Sequence, residues 1–384
     1  MKQIYLDNAA TMRIYDSVLE EMLPFLKENY GNASAMYSLA SLSRRAIDRA
    51  RDRAARLVGA KASEIYFTSG GSEADNWALT AVFEAFSEKG CHIIVSKIEH
   101  HAVLRTCEYL EKRGARITYI DPDASGRVSP EAIEAAICPD TILVSVMTAN
   151  NEVGTIQPIK EISQAAHRHG ILFHTDAVQA YGHIPINTEE MGIDLMSASA
   201  HKIGGPKGVG LLYIRSGIRV GSLIRGGAQE RNRRAGTENT AGIVGFGKAA
   251  EEAFLHMKER AERTGRLRNR LISLLEEKVP EAVLTGSRDE RLPNNVNILL
   301  PGMEGESVLI ALDLRGIAAS SGAACSSGSL DPSHVLLAMG VPYELALSSV
   351  RFSLSEENTE DELAYTAEAL AGIVRQIADE KGGH

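Results

Sequence analysis

Short β-rich runs and amphipathic helical patterns alternate between residues 64 and 215 of this 384-residue chain. This alternation limits the possible fold more than any other feature. Parallel strands need a crossover between them, which is usually a helix, so the pattern predicts a mostly parallel α/β sheet with helices on both faces. Ligands bind such sheets beyond the carboxyl ends of the strands. The strand patterns are EIYFTSG, HIIVSK, RITYIDP, TILVSVM and ILFHTDAV.

The pattern changes after a long helical stretch, at residues 240–278. The strand patterns AVLTG, NNVNILLPG, GIAASSG and SVRFSLS then follow, with helical segments between and after them, which is typical of a smaller α+β domain. A chain of this length also exceeds what one hydrophobic core usually supports. We expect a large domain at residues 16–262, and a small domain formed by residues 1–15 and 263–384.

Charge and composition exclude several classes of function. The formal net charge is −9, whereas a nucleic-acid surface needs concentrated Lys and Arg, so no direct nucleic-acid partner is expected. The basic run at 44–56 carries both signs at helical spacing and favours a solvated helix face. No segment has the apolar length of a membrane span or of a signal peptide. Four cysteines without CxxC pairing favour free thiols, so we expect a cytoplasmic location and no membrane partner.

Lys202 lies in SASAHKIGGPKGVG (197–210), in a turn between two apolar strand patterns. A lysine in a loop pocket can lose its proton through partial burial and form a Schiff base with an aldehyde. An exposed, solvated lysine is the more common alternative. Lys207 is the other candidate, although GGPKG is more typical of a surface turn.

Asp176 and Gln179 lie at the end of the buried strand pattern ILFHTDAVQ. A carboxylate is costly there unless it pairs with a cation. A pyridinium nitrogen is such a cation, and an aspartate beside it keeps the ring protonated as an electron sink. The alternative is an aspartate that caps the next helix.

A phosphate group needs an anchor, and FTSGGSEADN offers one. Gly70, Gly71 and Ser72 occupy a strand-to-helix turn, where backbone N–H groups and the helix dipole favour an anion. A tight turn with an N-capping serine explains the same residues equally well. Hydrogen-bond donors for the same phosphate are available at Ser199, His201 and Thr237.

Two histidines, His100 and His101, are adjacent in IEHHAV. With Glu99, His174 and Asp176 they suggest a zinc site as one alternative. Neighbours in sequence point in different directions on a regular element, however, and the helical spacing His-x3-His does not occur. We therefore expect no metal, and we interpret His100 as an imidazole that lies on a flat aromatic cofactor and transfers protons.

Residues 320–329 read SSGAACSSGS, so Cys325 has only Ser, Gly and Ala around it. A structural cysteine usually packs among larger apolar side chains, which make it inert. A loop of small residues has little burial to lose when it moves, and glycine permits the backbone changes. We interpret Cys325 as a mobile reactive thiol. Inert core thiols are expected at Cys91, Cys107 and Cys138.

Taken together, ten motifs resemble, in order and spacing, those of the cysteine desulfurases of the NifS and IscS type, which are class V aminotransferases. The resemblance covers essentially the whole chain. It implies fold type I, with a mostly parallel seven-stranded sheet flanked by helices and a smaller α+β C-terminal domain. It also implies bound pyridoxal 5'-phosphate and a homodimer with shared active sites. The motifs are LDNAAT, YGNASA, TSGGSEADN, EHHAVL, NNEVGTIQP, HTDAVQ, SASAHK, GGAQERNRRAGTEN, SSGAACSSGSLDPSHVL and VRFSLSEENTEDE.

The resemblance also implies a role for each matching residue. By position, Lys202 resembles the Schiff-base lysine, His100 the histidine stacked on the ring, and Asp176 the partner of the pyridine nitrogen. Gln179 resembles the residue hydrogen-bonded to the ring hydroxyl, and Asn151 lies near that hydroxyl and the substrate carboxylate.

The remaining matches concern the phosphate, the substrate and the sulfur. Thr237 resembles a residue that reaches the phosphate of the neighbouring subunit. Arg351 resembles the clamp on the substrate α-carboxylate, a task suited to a bidentate guanidinium. Cys325 resembles the thiol that receives sulfur. The phosphate ligands of the same subunit are matched by Gly71, Ser72, Ser199 and His201.

The reaction that the resemblance implies is removal of sulfur from L-cysteine, which leaves L-alanine and a persulfide on Cys325. The persulfide would supply a sulfur-acceptor protein, such as a scaffold for iron–sulfur cluster assembly or an enzyme of tRNA thiolation. One alternative is a selenocysteine lyase or another class V pyridoxal-phosphate enzyme. A second alternative, from a different class, is a sulfur-relay subunit that acts mainly by binding acceptor proteins.

Overall fold

A computed structural model of the chain describes residues 3–321 and 331–382. Within these residues the chain forms twelve strands and twelve helices. The strands are β1 (Ile4–Tyr5), β2 (Ile65–Thr68), β3 (His92–Ser96), β4 (Arg116–Ile120), β5 (Thr141–Ser145), β6 (Leu172–Asp176), β7 (Leu195–Ser199), β8 (Gly210–Ile214), β9 (Val283–Leu284), β10 (Asn295–Leu299), β11 (Ile317–Ala318) and β12 (Ser349–Ser353). The helices are α1 (Asp16–Lys27), α2 (Ser38–Leu57), α3 (Gly71–Ala85), α4 (His101–Glu111), α5 (Pro130–Ala136), α6 (Ile159–Arg168), α7 (Gln229–Asn232), α8 (Thr240–Lys278), α9 (Gly305–Asp313), α10 (His334–Ala338), α11 (Tyr343–Ala346) and α12 (Glu360–Gly382).

The central sheet has seven strands in the order β2-β8-β7-β6-β5-β3-β4. Strand β8 runs antiparallel to both of its neighbours, and the pairs from β7 to β4 are parallel. Strands β3, β5 and β7 are buried at every residue, as expected when helices cover both faces of a sheet. The expected α/β architecture with a mostly parallel seven-stranded sheet is therefore confirmed.

Two apolar cores lie against this sheet. The larger one joins strand residues such as Phe173 to Phe246 of α8, and it also contains the buried face of α2. The other joins Val95 of β3 to Trp77 of α3 and Leu110 of α4. Helices thus bury the side chains of successive strands, and the polar chemistry is left to the loops at the strand ends.

A third core lies outside the central sheet. It contains Val350 of β12, Leu363 of α12 and Leu271 of α8, and Ile4 of the N-terminal strand packs there as well. Helix α8 contributes its first half to the largest core and its second half to this one without a break. The expected domain limit at residue 262 falls inside that continuous helix, and the division of the chain into two domains stays a prediction.

The cysteines correct one expectation. Of those in the described residues, Cys107 is fully buried in an apolar core, whereas Cys91 and Cys138 are half-buried. Both half-buried cysteines lie in turns that precede β3 and β5. The expectation of a core position is wrong for these two, because each lies before the amino end of a strand, where the helices do not cover it completely. No helix in the described ranges has the length and apolar character needed to cross a membrane.

Candidate active site

A cavity of about 330 Å³ lies beside the carboxyl ends of the parallel strands. Loops that follow β2, β3, β5, β6 and β7 form most of its wall, as the topology of a parallel sheet dictates. Ten residues singled out from the sequence line it together: Gly71, Ser72, His100, Asn151, Asp176, Gln179, Ser199, His201, Lys202 and Arg351. Residues that the sequence analysis missed complete the wall: Ala9, Ala10, Asp75, Met147 and Val178.

Lys202 ends a single 3-10 turn, Ala200–Lys202, directly after β7. Its Nζ donates hydrogen bonds to the carbonyl oxygens of Ala9, at 2.6 Å, and Ala10, at 2.8 Å. These acceptors hold the amine at the cavity wall without neutralising its charge. Both belong to the LDNAAT motif, to whose residues the sequence analysis assigned no role. Lys207, by contrast, is exposed.

Asp176 is the last residue of β6, and its carboxyl group is buried in the cavity wall. Its Oδ1 accepts a hydrogen bond from the Val178 N–H at 2.8 Å. Burial raises the pKa of Asp176 to about 6, and the Val178 hydrogen bond and the Lys202 charge oppose that rise. A further positive charge next to Asp176 would lower its pKa again, and a protonated ring nitrogen is such a charge.

His100 is the N-cap residue of α4, where its Nδ1 accepts a hydrogen bond from the Ala102 N–H at 3.1 Å. The proton of the neutral ring is therefore assigned to Nε2. Burial lowers the pKa of His100 to about 4, and the Lys202 charge acts in the same direction. The imidazole is thus uncharged at neutral pH, which suits both contact with an aromatic ring and proton transfer.

One end of the cavity is rich in hydrogen-bond donors. Helix α3 begins at Gly71, so its unpaired N–H groups lie in the wall. A Cβ at Gly71 would lie 2.6 Å from Cγ2 of Val178, so a side chain there would clash. Ser72, Ser199 and His201 line the same end and also a neighbouring cavity of about 450 Å³. This donor set suits a phosphate group.

The opposite wall holds Arg351 of β12. Its Nη1 donates to the carbonyl oxygen of Asn151 at 2.8 Å, and its Nη2 donates to the Asp7 carboxylate at 2.9 Å. Its Nε is buried and has no hydrogen-bond partner in residues 3–321 and 331–382. A buried guanidinium with spare donors suits the carboxylate of a small ligand. Gln179 donates from Nε2 to the carbonyl oxygen of Ala9 at 3.0 Å.

Further titratable groups are buried in or near the cavity wall. Asp75 is 1% exposed, and burial together with the Asp176 charge raises its pKa well above the ordinary value. Burial also raises the pKa of Glu99 to about 8 and lowers that of His174 to about 3. Asp75 could have been found in the sequence, because it shares a helix face with the buried Ala78 and Val82, at i+3 and i+7. A carboxyl group on the apolar face of a helix is unusual.

Thr237 and Cys325 are not among the cavity residues. Thr237 is exposed, and its predicted contact with a neighbouring subunit stays a prediction. The short element α7 precedes it and is a left-handed turn rather than a regular α-helix, because Glu230, Arg231 and Asn232 have φ of 45°, 57° and 63°. Arg51 holds this segment through two hydrogen bonds to the Glu230 carboxylate, at 2.7 and 2.8 Å.

Cys325 lies outside the described residues, but the chain on either side of it borders the cavity. Ser320 exchanges two backbone hydrogen bonds with Arg351, at 3.1 and 2.6 Å. On the other side, Nε2 of His334 lies 3.0 Å from the carbonyl oxygen of Glu99, the residue before the cavity histidine.

Two groups of potential metal ligands occur among the residues that the structure describes. One consists of Asp75, His100 and Asp176 and belongs to the cavity. The other consists of His92, Cys138 and Asp140, at the amino ends of the strands, away from the cavity. There, the Arg116 guanidinium lies 2.6 Å from the Asp140 carboxylate and 2.9 Å from the Cys138 sulfur. A side-chain cation therefore already bridges two of the three ligands.

Comparison with known proteins bears directly on the family. A family model described as aminotransferase class-V matches residues 4–365. The chain is 53% identical over 377 residues to the cysteine desulfurase IscS of Clostridium botulinum (strain Hall), with 98% of this chain and 95% of that protein covered. The chain belongs to the cysteine desulfurase family.

Solved structures agree with this family. A NifS-like protein matches with a TM-score of 0.92 and 39% identity, over 97% of this chain and 100% of the other. A structure described as SspA in complex with cysteine matches with a TM-score of 0.82 and 37% identity, over 93% and 100%. The resemblance inferred from the ten motifs is confirmed, and the class-V aminotransferases are as a family pyridoxal-phosphate enzymes. Apart from Thr237 and Cys325, every position assigned by resemblance to the cysteine desulfurases lines one cavity.

Proposed function

We propose that this cavity is the active site of a pyridoxal-phosphate-dependent cysteine desulfurase, which moves the sulfur of L-cysteine onto Cys325 and leaves L-alanine. The observation that carries the proposal is the meeting of Lys202, Asp176 and His100 in the wall of one cavity, in a chain of the cysteine desulfurase family. The three come from separate strand ends, and only the fold brings them together.

The residues present fit pyridoxal 5'-phosphate at every part of the molecule. Lys202 offers the amine for its aldehyde, and Asp176 is a buried acid whose raised pKa calls for a cation beside it. Gly71 begins α3, so the unpaired backbone N–H groups of that helix face the cavity and suit the phosphate of the cofactor. When bound, the cofactor supplies an electron sink for the pair that is released as the C–S bond of the substrate breaks. The other proposed ligands are Ser72, Asn151, Gln179, Ser199, His201 and, from a neighbouring subunit, Thr237.

The protein's own side chains bind the substrate and move its protons. Arg351 binds the α-carboxylate of L-cysteine. Two hydrogen bonds hold its buried guanidinium in place, and its Nε is a donor without a partner among the described residues. Asn151, which it contacts, shares that carboxylate site. The neutral His100 carries its proton on Nε2 and can exchange it with the substrate.

Cys325 is the proposed acceptor of the sulfur. Its thiolate attacks the substrate sulfur, an S–S bond forms, the C–S bond breaks, and a proton on the carbon completes L-alanine. Cys325 is four residues beyond Ser321, so a fully extended chain allows it to reach at most about 14 Å from there. Ser321 follows Ser320, which is hydrogen-bonded to the cavity residue Arg351, so the number of intervening residues limits how far the thiol can lie from the cavity.

The remaining parts of the proposal concern partners. A homodimer with shared active sites is supported by the exposed Thr237, which lies outside the cavity of its own chain. The persulfide is proposed to pass to a sulfur-acceptor protein, such as an iron–sulfur scaffold or a thiolation enzyme. The cytoplasmic location expected from the sequence belongs to the same proposal.

Mass spectrometry tests cofactor, nucleophile and reaction at once. After treatment with L-cysteine, we expect one added sulfur, about 32 Da, on the peptide that contains Cys325, together with L-alanine. Cys325→Ala should keep the cofactor absorbance and lose sulfur release, whereas Cys138→Ala, the matched control, should keep both. Sulfur release by Cys325→Ala would refute the assigned nucleophile. Turnover of selenocysteine alone would favour a selenocysteine lyase.

A further inference from the structure

Asp75 is a buried carboxyl group of the cavity wall that the proposed function does not use. It is 1% exposed, and its Oδ1 has no hydrogen-bond partner within the described parts of the chain. A buried carboxyl oxygen without a partner costs stability. Its presence beside the cavity therefore calls for an explanation beyond packing.

Asp75 lies close to the two groups that would face the cofactor ring. One oxygen of Asp75, one oxygen of Asp176 and one ring nitrogen of His100 all lie within 4.8 Å of one another. Two buried carboxyl groups at such a distance do not both ionise near neutral pH, because the second negative charge is repelled by the first. The pair therefore holds one proton.

Burial raises the pKa of Asp176, and two neighbouring groups stabilise its charged form against that effect. Asp176 accepts the Val178 N–H at 2.8 Å, and the Lys202 ammonium stabilises a negative charge on it. The nearby His100 contributes no charge, since burial keeps its ring neutral.

The surroundings of Asp75 favour its protonated form. Burial is the main cause of its raised pKa, the Asp176 charge acts in the same direction, as does Glu99 when it is ionised, and a hydrogen bond with Ser197 opposes them. His174, whose Nε2 lies 3.7 Å from Oδ1 of Asp75, is kept neutral by complete burial and offers no counter-charge.

We propose that Asp75 is a positioning residue that acts through Asp176: it holds the shared proton, so that the negative charge of the pair stays on Asp176, where the ring nitrogen of the cofactor would lie. At higher pH, Asp75 releases this proton and the site gains a second negative charge. That charge favours the protonated ring. The inference rests on the proposed role of Asp176. Two tests distinguish a failure of the shared proton from a failure of the proposed function.

Stability as a function of pH tests the shared proton without reference to the cofactor. The folded chain keeps a proton on Asp75 that the unfolded chain releases above a pKa of about 3.9, so the contribution of Asp75 to wild-type stability falls as pH rises above that value. Asp75→Asn has the same size and no proton to release. We therefore expect the ratio of folding constants, variant over wild type, to rise by up to about tenfold per pH unit between about pH 5 and 7 in urea unfolding of the full-length chain.

Asp194→Asn is the matched control. Asp194 is as buried as Asp75, but its Oδ2 accepts the Phe173 N–H at 2.8 Å and lies 2.9 Å from Nε2 of His167, and Arg215 pairs with Oδ1. Its loss should destabilise the protein at every pH. An Asp75→Asn protein that behaves in the same way, or whose ratio to wild type does not change with pH, would show that Asp75 is a structural carboxylate and would overturn the proposal.

The absorbance of the bound cofactor provides the second test. We expect the midpoint of its alkaline change to lie about one pH unit lower in Asp75→Asn than in wild type, because the variant cannot form the second negative charge. Superimposed titrations would contradict the proposal. A purified protein that takes up no added pyridoxal phosphate would contradict the proposed function instead, and the unfolding experiment would still decide whether Asp75 holds the proton.

Discussion

The amino ends and the carboxyl ends of the parallel strands carry similar side chains, but the two sets differ in their hydrogen bonding. The amino edge and the carboxyl edge of the sheet mean these two ends of the strands. At the amino edge, Arg116 bridges Asp140 and Cys138 at 2.6 and 2.9 Å. Both ring nitrogens of His92 meet threonine hydroxyls, at 2.7 and 2.8 Å. The charged and polar groups of this edge therefore satisfy one another.

At the carboxyl edge the corresponding groups surround a cavity. Among described residues, Asp75 Oδ1 and Arg351 Nε have no hydrogen-bond partner, although both atoms are buried. Asp176 accepts one N–H and has its pKa raised to about 6 by burial. Such groups cost stability, and their clustering around one cavity is typical of a functional site. The two clusters therefore contain similar types of side chain and differ in whether those side chains have partners.

Loss of Lys202 is the largest expected effect, because it removes the amine of the cavity at the carboxyl ends of the strands. Lys202→Ala should lower desulfuration by about a thousandfold or more, because no other amine lines the cavity within the described chain. Borohydride reduction followed by peptide mass spectrometry should find cofactor on Lys202 in wild type and none in the variant. In Lys207→Ala the Lys202 adduct should persist. An adduct on Lys207 in wild type would transfer the assignment to that residue.

A smaller effect is expected at Arg351, where the charge is kept and the geometry is lost. Arg351→Lys should raise the KM for L-cysteine by about 10-fold to 100-fold, because an ammonium cannot make the parallel hydrogen bonds of a guanidinium. Steady-state kinetics measures KM and kcat separately. The exposed Arg105, paired with Glu108 on α4, provides the control Arg105→Lys, which should leave KM unchanged. An unchanged KM in Arg351→Lys would exclude the carboxylate clamp.

The smallest effect is expected at the amino ends of the strands. It tests whether the cluster there, unlike the cavity residues, is unimportant for the reaction. Arg116→Ala should change the free energy of unfolding only slightly, because its ion pair with Asp140 is 52% and 38% exposed and is screened by solvent. Desulfuration should stay within about twofold of wild type, since this cluster lies at the far edge of the sheet. Urea unfolding and an activity assay measure the two quantities. A large loss of activity would mean that the two edges are coupled.

Much of the fold was predictable because its signals are local. Apolar runs of strand length followed by helical patterns predicted the parallel sheet, and they also located the strand ends at which Asp176 and Lys202 lie. The depth of Cys91 and Cys138 was predicted wrongly. The cysteines were assigned to helix or strand patterns, whereas Cys91 and Cys138 lie in the connections that precede β3 and β5. The periodicity of a single segment does not show where a strand begins.

The sequence by itself determined the alternation of strands and helices, the chemical types available at each strand end, and the family. Only the tertiary structure decided which groups meet: the carbonyl oxygens of Ala9 and Ala10 reach an amine 193 and 192 residues away in the chain, and Asp75 comes to rest beside Asp176. The physical reason is that hydrophobic patterning acts over a few residues, whereas the state of a buried charge depends on every group that packing brings within a few ångströms.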